Sequence, residues 1–272
     1  MDYISKSPAP PLADFVERFW QINDSPPHQR ERILPSGTIE LVINLREDEF
    51  RIFDPARPDT YKRFSGSLVS GTYSRPFLID ARRHSVIGIH FRPGGAFPFL
   101  GPAANELADK HVDLESLWGV AAKELHQRIS ESRNPAQRFD LLERALLRHR
   151  FRPLEHHYAV PYALSAFMRD SKLNVAKVAQ KIGLSHRRFI HVFSREVGLS
   201  PKAFCLVRRF QKILAMLKQT NAPNWSQLAW DCGYFDQSHF IHDFRGFSNL
   251  NPTDFLQQRS QRVKENHVPV PA

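Results

Sequence analysis

Apolar positions along the chain follow two different periods, and the period changes near Gly101. Ile39, Leu41, Ile43 and Leu45 recur at every second position after the turn signal Pro35-Ser36-Gly37, which predicts a strand with one buried face. Val86-Ile87-Gly88-Ile89-His90-Phe91 is a β-rich run that stops at Pro93-Gly94-Gly95 and predicts another. Phe77-Leu78-Ile79 and the stretch from Phe15 to Ile22 are weaker strand signals. Beyond Gly101 the spacing becomes helical. Leu114, Leu117, Trp118, Ala121, Leu125 and Ile129 share one face of a first helix, and Phe139, Leu142, Leu146 and Leu147 form the stripe of a second over about 135–150. A short joint over 151–160 closes this part, which reads as a compact sheet or barrel with two trailing helices.

From Pro161 onward only helical periods remain, and they contain an internal repeat. Val178-Ala179 matches Leu228-Ala229, and Gly183 matches Gly233. One inserted residue later, Phe189-Ile190-His191-Val192-Phe193 matches Phe240-Ile241-His242-Asp243-Phe244, Ser200-Pro201 matches Asn251-Pro252, and Phe204 matches Phe255. Two copies of one unit are implied. Each unit reads as a short helix (Val175 to Ile182; Trp225 to Cys232), a glycine turn, a capping residue (Ser185; Asp236) and a second helix with a phenylalanine stripe. Between the units, Pro201 to Lys218 reads as one long helix with Phe204, Val207, Phe210, Ile213, Leu214 and Leu217 inward. The predicted fold class is therefore α+β: a β-rich, barrel-like domain with two trailing helices over 1–155, and an all-α domain of two helix-turn-helix units joined by a long helix over 161–260.

Charge divides the chain at the same place. Residues 1–160 hold 22 Lys/Arg against 21 Asp/Glu, whereas 161–272 hold 16 against 7, so nearly all of the net charge of +10 lies in the helical part. A basic all-helical domain beside a neutral one is the footprint of nucleic-acid binding. A helix-turn-helix places its second helix in the major groove. The faces opposite the phenylalanine stripes then carry the base readers: His186, Arg187, Ile190, His191 and Ser194 in the first unit, and Gln237, Ser238, Ile241, His242 and Arg245 in the second. Arginine binds guanine bidentately, glutamine pairs with adenine, and isoleucine rests on a thymine methyl. Of the exposed cations, Arg188, Arg208, Arg209, Lys212 and Arg245 are the expected phosphate contacts.

Other chemistry is sparse. No HExxH, GxSxG or phosphate-loop motif is present, and no barrel-type His-x-His metal motif surrounds His84 or His90. No catalysis, cofactor or metal is expected. The two cysteines, Cys205 and Cys232, form no disulfide framework and fit a reducing cytoplasm. No stretch approaches the ~20 apolar residues that span a bilayer. Arg92, in Phe91-Arg92-Pro93-Gly94-Gly95, is the one weak candidate for meeting an anionic effector.

The paired pattern resembles the AraC-type family of bacterial transcription regulators over roughly Tyr162 to Gln258. The resemblance is carried by Val178-Ala179 with Gly183, Ser185 to Phe193, Gly198-Leu199-Ser200-Pro201, Ala229 with Gly233-Tyr234, Asp236-Gln237-Ser238-His239-Phe240, and Asn251-Pro252 with Phe255. It implies a regulator that reads double-stranded DNA, most directly through Arg187, Ile190 and His191 and then through Gln237, Ser238 and His242. A transcription activator's contact with RNA polymerase, a small-molecule effector and a homodimer are further expectations; a membrane is not. Leu34-Pro35-Ser36-Gly37, the Phe91 to Gly95 loop and Val112-Asp113-Leu114 resemble a domain found ahead of such units, which implies an effector-sensing or dimerising role. The rival reading is a small-molecule-binding or enzymatic N-terminal domain targeted to DNA. Two residues depart from the family pattern: Gly246 in the second recognition helix and Asn249 after it, which predict a shorter or looser helix there.

Overall fold

The structure, a computed structural model, describes residues 2–23, 30–46, 49–54, 57–80, 85–170, 173–220, 222–258 and 266–270. His84 lies outside them. The first half is built from β1 (Asp2–Lys6), β2 (Val16–Asn23), β3 (Arg30–Ile33), β4 (Glu40–Asn44), β5 (Glu49–Asp54), β6 (Arg57–Ser65), β7 (Ser67–Ser70), β8 (Phe77–Asp80), β9 (Val86–Phe91) and β10 (His111–Asp113). They form two antiparallel sheets. One has the order β1-β2-β9-β4-β7-β10; the other runs β3-β8-β5-β6, and a final strand, β11 (His267–Pro269), pairs with the outer side of β3.

The alternation read from the sequence sets what each face meets. Leu41 and Ile43 of β4 and Ile87, Ile89 and Phe91 of β9 turn to one side of the first sheet, where they are buried against Leu125 and Ile129 of α2 (Val120–Glu131) and Phe139 and Leu142 of α3 (Pro135–Arg148). The single helix expected over 114–129 is in fact two. Gly119 (φ +59°, ψ −135°) breaks it into α1 (Leu114–Trp118) and α2. That backbone conformation is open to glycine and almost nothing else, so the apolar stripe continues across a break the periodicity hides.

Seven helices follow: α4 (Ala159–Arg169), α5 (Val175–Ile182), α6 (His186–Val197), α7 (Pro201–Leu217), α8 (Trp225–Asp231), α9 (Gln237–Ser248) and α10 (Pro252–Gln258). Their core is a chain of buried rings. Phe193 meets Phe167 and Phe204 edge-on at 5.9 and 5.7 Å, while Phe210 packs on Phe244 and Phe247 at 5.4 and 5.1 Å. Such arrangements add to simple area burial. Leu34, from the turn before β4, and Val268 of β11 are buried in this same cluster, so the two halves share apolar contacts. No described helix is long and apolar enough to cross a membrane.

The expected shortening of the second recognition helix does not occur. Both α6 and α9 hold twelve residues, and Asn249 closes α9 in the left-handed conformation (φ 54°), its N–H bonded to the Arg245 carbonyl. Gly246 is exposed, and a Cβ built on it meets nothing within 4 Å. Gly246→Ala is therefore expected to stabilise the chain by about 0.5–1 kcal/mol, through helix propensity and a less flexible unfolded state. Thermal or urea unfolding checks this; an unchanged or lower midpoint contradicts it.

Candidate nucleic-acid interface and ligand cavity

Each helix-turn-helix unit is assembled by the same local bonds. In the first, the Asn174 side chain accepts from the Ala176 N–H (2.8 Å) and so caps α5. Gly183 (φ +79°) turns the chain, and the Leu184 N–H reaches back to the Ala179 carbonyl at 3.1 Å. The Ser185 hydroxyl then accepts from the Arg188 N–H to start α6. The second unit repeats this order of cap, turn and cap. Asn224 caps α8 through the Gln227 N–H (3.1 Å), Gly233 (φ +82°) turns, the Tyr234 N–H bonds the Ala229 carbonyl (2.9 Å), and Asp236 accepts from the His239 N–H (2.7 Å) to start α9. Glycine is required at both turns because a left-handed exit is nearly free only without a Cβ.

With Phe189, Phe193 and Val197 inward on α6, the opposite face is left to solvent. His186, Arg187, Arg188 and His191 are exposed and Ile190 is half-buried. On α9, Phe240, Phe244 and Phe247 are inward, while Gln237, Ser238, His242 and Arg245 are exposed. Ile241 is half-buried against the core. The Arg245 guanidinium bonds the Asn251 side chain, which fixes it across the end of α9. His239 lies 3.6 Å from the Asp243 carboxylate.

The cations of α7 are placed differently from the expectation of a freely exposed row. Arg209 is half-buried, its guanidinium 5.0 Å over the Tyr234 ring. Arg208 is also half-buried and lines a cleft between α4, α7 and α8, with Arg169 and Lys218 on its rim. Lys212 is exposed and donates to the Asp231 carbonyl at 2.8 Å, closing the end of α8. The helix periodicity gave the side of α7 correctly, but it carried no information about α4 and α8, which cover part of that side.

Arg92 is not in the lining of the cavity between the two sheets: its Nε donates to the Ala13 carbonyl at 2.8 Å. The neighbouring Gly94 lies against Val160 and Val197, so this loop is part of the seam between the halves. The same seam holds Glu196, a buried carboxylate on the inner side of α6. It accepts from the His157 N–H at 3.0 Å and lies 3.2 Å from His156 Nδ1.

The cavity lies elsewhere, between the two sheets, with a volume of about 390 Å³. Its apolar wall includes Trp20, Tyr73 and Phe77, and its polar wall Arg18, Thr38, Glu40 and His90. Glu40 and His90 face each other across adjacent strands, with His90 Nδ1 2.5 Å from Glu40 Oε1 and Nε2 3.3 Å from the Thr38 hydroxyl. Burial alone would lower the His90 pKa, but its hydrogen bond to Glu40 and the charges of Glu40 and Glu17 raise it instead. Burial would raise Glu40, but the His90 bond and charge, with His267 and Arg18, hold it below the usual carboxylate range. His111, surrounded by Phe64, Tyr73 and Phe77, is pushed down to about 3 by burial and stays neutral.

A pH dependence follows. The raised His90 value contributes stability that is fully present below the unfolded imidazole value of about 6.5 and is lost as pH rises through the folded value. The lowered Glu40 value contributes stability present above about 4.3 and lost as pH falls through the folded value. Calorimetry from about pH 5 to about pH 9 should show wild-type Tm declining on the alkaline side more than in His90→Gln. Parallel profiles contradict this.

The fold and both turns define a chain with a two-sheet N-terminal half and a paired helix-turn-helix reader. Residues 178–258 match the model of a helix-turn-helix domain, and residues 5–113 match that of a domain of unknown function, DUF6597. The C-terminal part is a helix-turn-helix domain of the AraC type. Its relatives include the arabinose operon regulatory protein of Escherichia coli (strain K12), 26% identical over 102 residues, or 38% of this chain and 35% of that protein. They also include the transcriptional activator RhaS of Escherichia coli (strain SE11), 29% identical over 99 residues, or 35% of each chain. The chain thus spans about a third of the length of these relatives. Among solved structures, ToxT from Vibrio cholerae aligns over 88% of this chain and 98% of its own, at 10% identity and a TM-score of 0.49.

Proposed function

We propose that this protein is a sequence-specific, DNA-binding transcription regulator, with residues 161–260 as reader and residues 1–155 as an effector-sensing unit. The observation that carries this reading is the duplicated cap, turn and twelve-residue helix, each copy leaving a basic or amide-bearing face in solvent. His186, Arg187, Ile190 and His191 would read one major groove; Gln237, Ser238 and His242 the next. Arg188 suits phosphate contacts directly, Arg245 from the position its Nε bond to Asn251 gives it, and Lys212 by exchanging the Asp231 carbonyl for a phosphate. Arg208 and Arg209, half-buried, would reach phosphate only at the margin of their packed positions. At about 1.5 Å per residue, the seventeen residues of α7 span about 25 Å, which suits two helices one DNA turn apart.

The cavity between the sheets supports a small-molecule effector. RNA polymerase as the downstream partner, a homodimer as the working form and the absence of a catalytic step complete the reading. Selection of bound sequences from random DNA with the full chain tests it. A defined site that survives competition with random duplex is expected; affinity indifferent to sequence overturns the reading.

A further inference from the structure

The cavity has an unusual wall. The chain passes through the reader and then returns to the first half, where β11 pairs with β3 in register His267↔Ile33, Val268↔Arg32 and Pro269↔Glu31. The Leu34 N–H to the Asn266 carbonyl (2.8 Å) and the Val270 N–H to the Arg30 carbonyl (3.0 Å) extend the ladder at both ends. Val268 is 1% exposed, which anchors the strand. Asn266 and His267, at the start of this returning strand, line the cavity alongside Leu34 and Pro35.

One side chain joins this wall to the reader. Gln211, on α7, donates from its single amide nitrogen to the Pro35 carbonyl at 2.6 Å and to the Asn266 side-chain oxygen at 2.8 Å. Both acceptors belong to cavity-lining residues. The helix that sets the spacing of the two recognition helices is thus one hydrogen bond from the cavity.

The wall also specifies what fits. Each basic group on it already faces a carboxylate: Arg18 to Glu17 at 2.7 Å, His90 to Glu40 at 2.5 Å, and His267 to Glu31 at 2.6 Å. An anionic ligand would have to draw a basic group from its carboxylate, and a cationic one would have to draw a carboxylate from its basic group, so the paired wall favours neither charge. Trp20, Tyr73 and Phe77 line it with aromatic rings, and the Thr38 and Ser36 hydroxyls, 2.7 Å from each other, add polar atoms beside them. We propose that the cavity takes an uncharged, ring-bearing molecule, and that the returning strand transmits its occupancy to α7 through Gln211. The coupling rests on the regulator reading above; the ligand class does not.

Two dyes of matched shape test it: phenylnaphthylamine, which is uncharged, and its sulfonated analogue anilinonaphthalene sulfonate. With the full chain, the uncharged dye is expected to bind at least about tenfold more tightly, and cavity-filling Thr38→Phe to abolish its signal. At saturation it is expected to shift affinity for the selected DNA site by at least about threefold, a coupling of ordinary size. Gln211→Ala should keep both dye and DNA binding and lose the shift. Equal binding of the two dyes, or a signal that survives Thr38→Phe, overturns the ligand class. A shift that persists in Gln211→Ala, or no shift in wild type, overturns the coupling alone. Dye binding with no selected DNA site overturns the regulator reading and the coupling with it, and leaves the ligand class standing.

Discussion

Replacing Phe193 by alanine is expected to destabilise the reader by about 3–5 kcal/mol, the range for deleting a buried phenylalanine ring. The ring is fully buried and touches Phe167 on α4, Phe189 on its own helix and Phe204 on α7 at centroid distances of 5.9, 5.8 and 5.7 Å. These rings are rigid and come from three helices, so the space left by truncation collapses poorly. Part of the loss is edge-to-face ring contact, which leucine cannot restore, so Phe193→Leu should recover only a fraction. Urea unfolding measures both. A loss below about 1 kcal/mol for the alanine variant would show that the cluster relaxes around the gap and is not the keystone of the first unit.

Arg187→Ala is expected to cost about 1–3 kcal/mol of discrimination at one base pair of the selected site while non-specific affinity persists. Arg187 occupies the first turn of α6, is exposed, and follows a serine cap that fixes the direction in which the helix starts. Its neighbour Arg188 shares that exposure and lies a further step of about 100° round the helix. Binding titrations on the selected site and on single-base variants separate the two roles. Uniform weakening on every sequence would assign Arg187 to the phosphates and falsify its reading role.

The reader was legible in the sequence because each of its bonds has a residue type that signals it. Ser185 and Asp236 announce caps, Gly183 and Gly233 announce left-handed turns, and the phenylalanine stripes announce which faces are inward. The sheets were only half legible. β4 and β9 alternate cleanly because one face of each is packed on helices. β1 and β6 lie at sheet edges with most of their residues exposed, and so carry almost no apolar period. The short β3 reads Arg-Glu-Arg-Ile, and its polar side chains hide a strand held by pairing on both sides.

The cavity left fainter traces. Glu40 and His90 are single polar residues inside apolar runs, which in a strand with an apolar opposite face is the mark of a polar pair drawn out of bulk water, His90 buried and Glu40 half-buried. Nothing in the spacing of the two strands says that they become neighbours. Arg209 failed as a freely exposed cation for a related reason. Its face of α7 was read correctly, but Tyr234, which covers it, comes from the other repeat.

The pairing of β11 with β3 bears on how the molecule can be divided. A fragment that stops at the joint before α4 would leave β3 with a row of unsatisfied N–H and C=O groups along the side that β11 occupies. The reader expressed alone would carry the complementary orphan, a valine-centred segment with no ladder to enter. Each half, made separately, therefore carries a template for self-association that the uncut polypeptide satisfies internally, and mixing the halves should suppress aggregation of both.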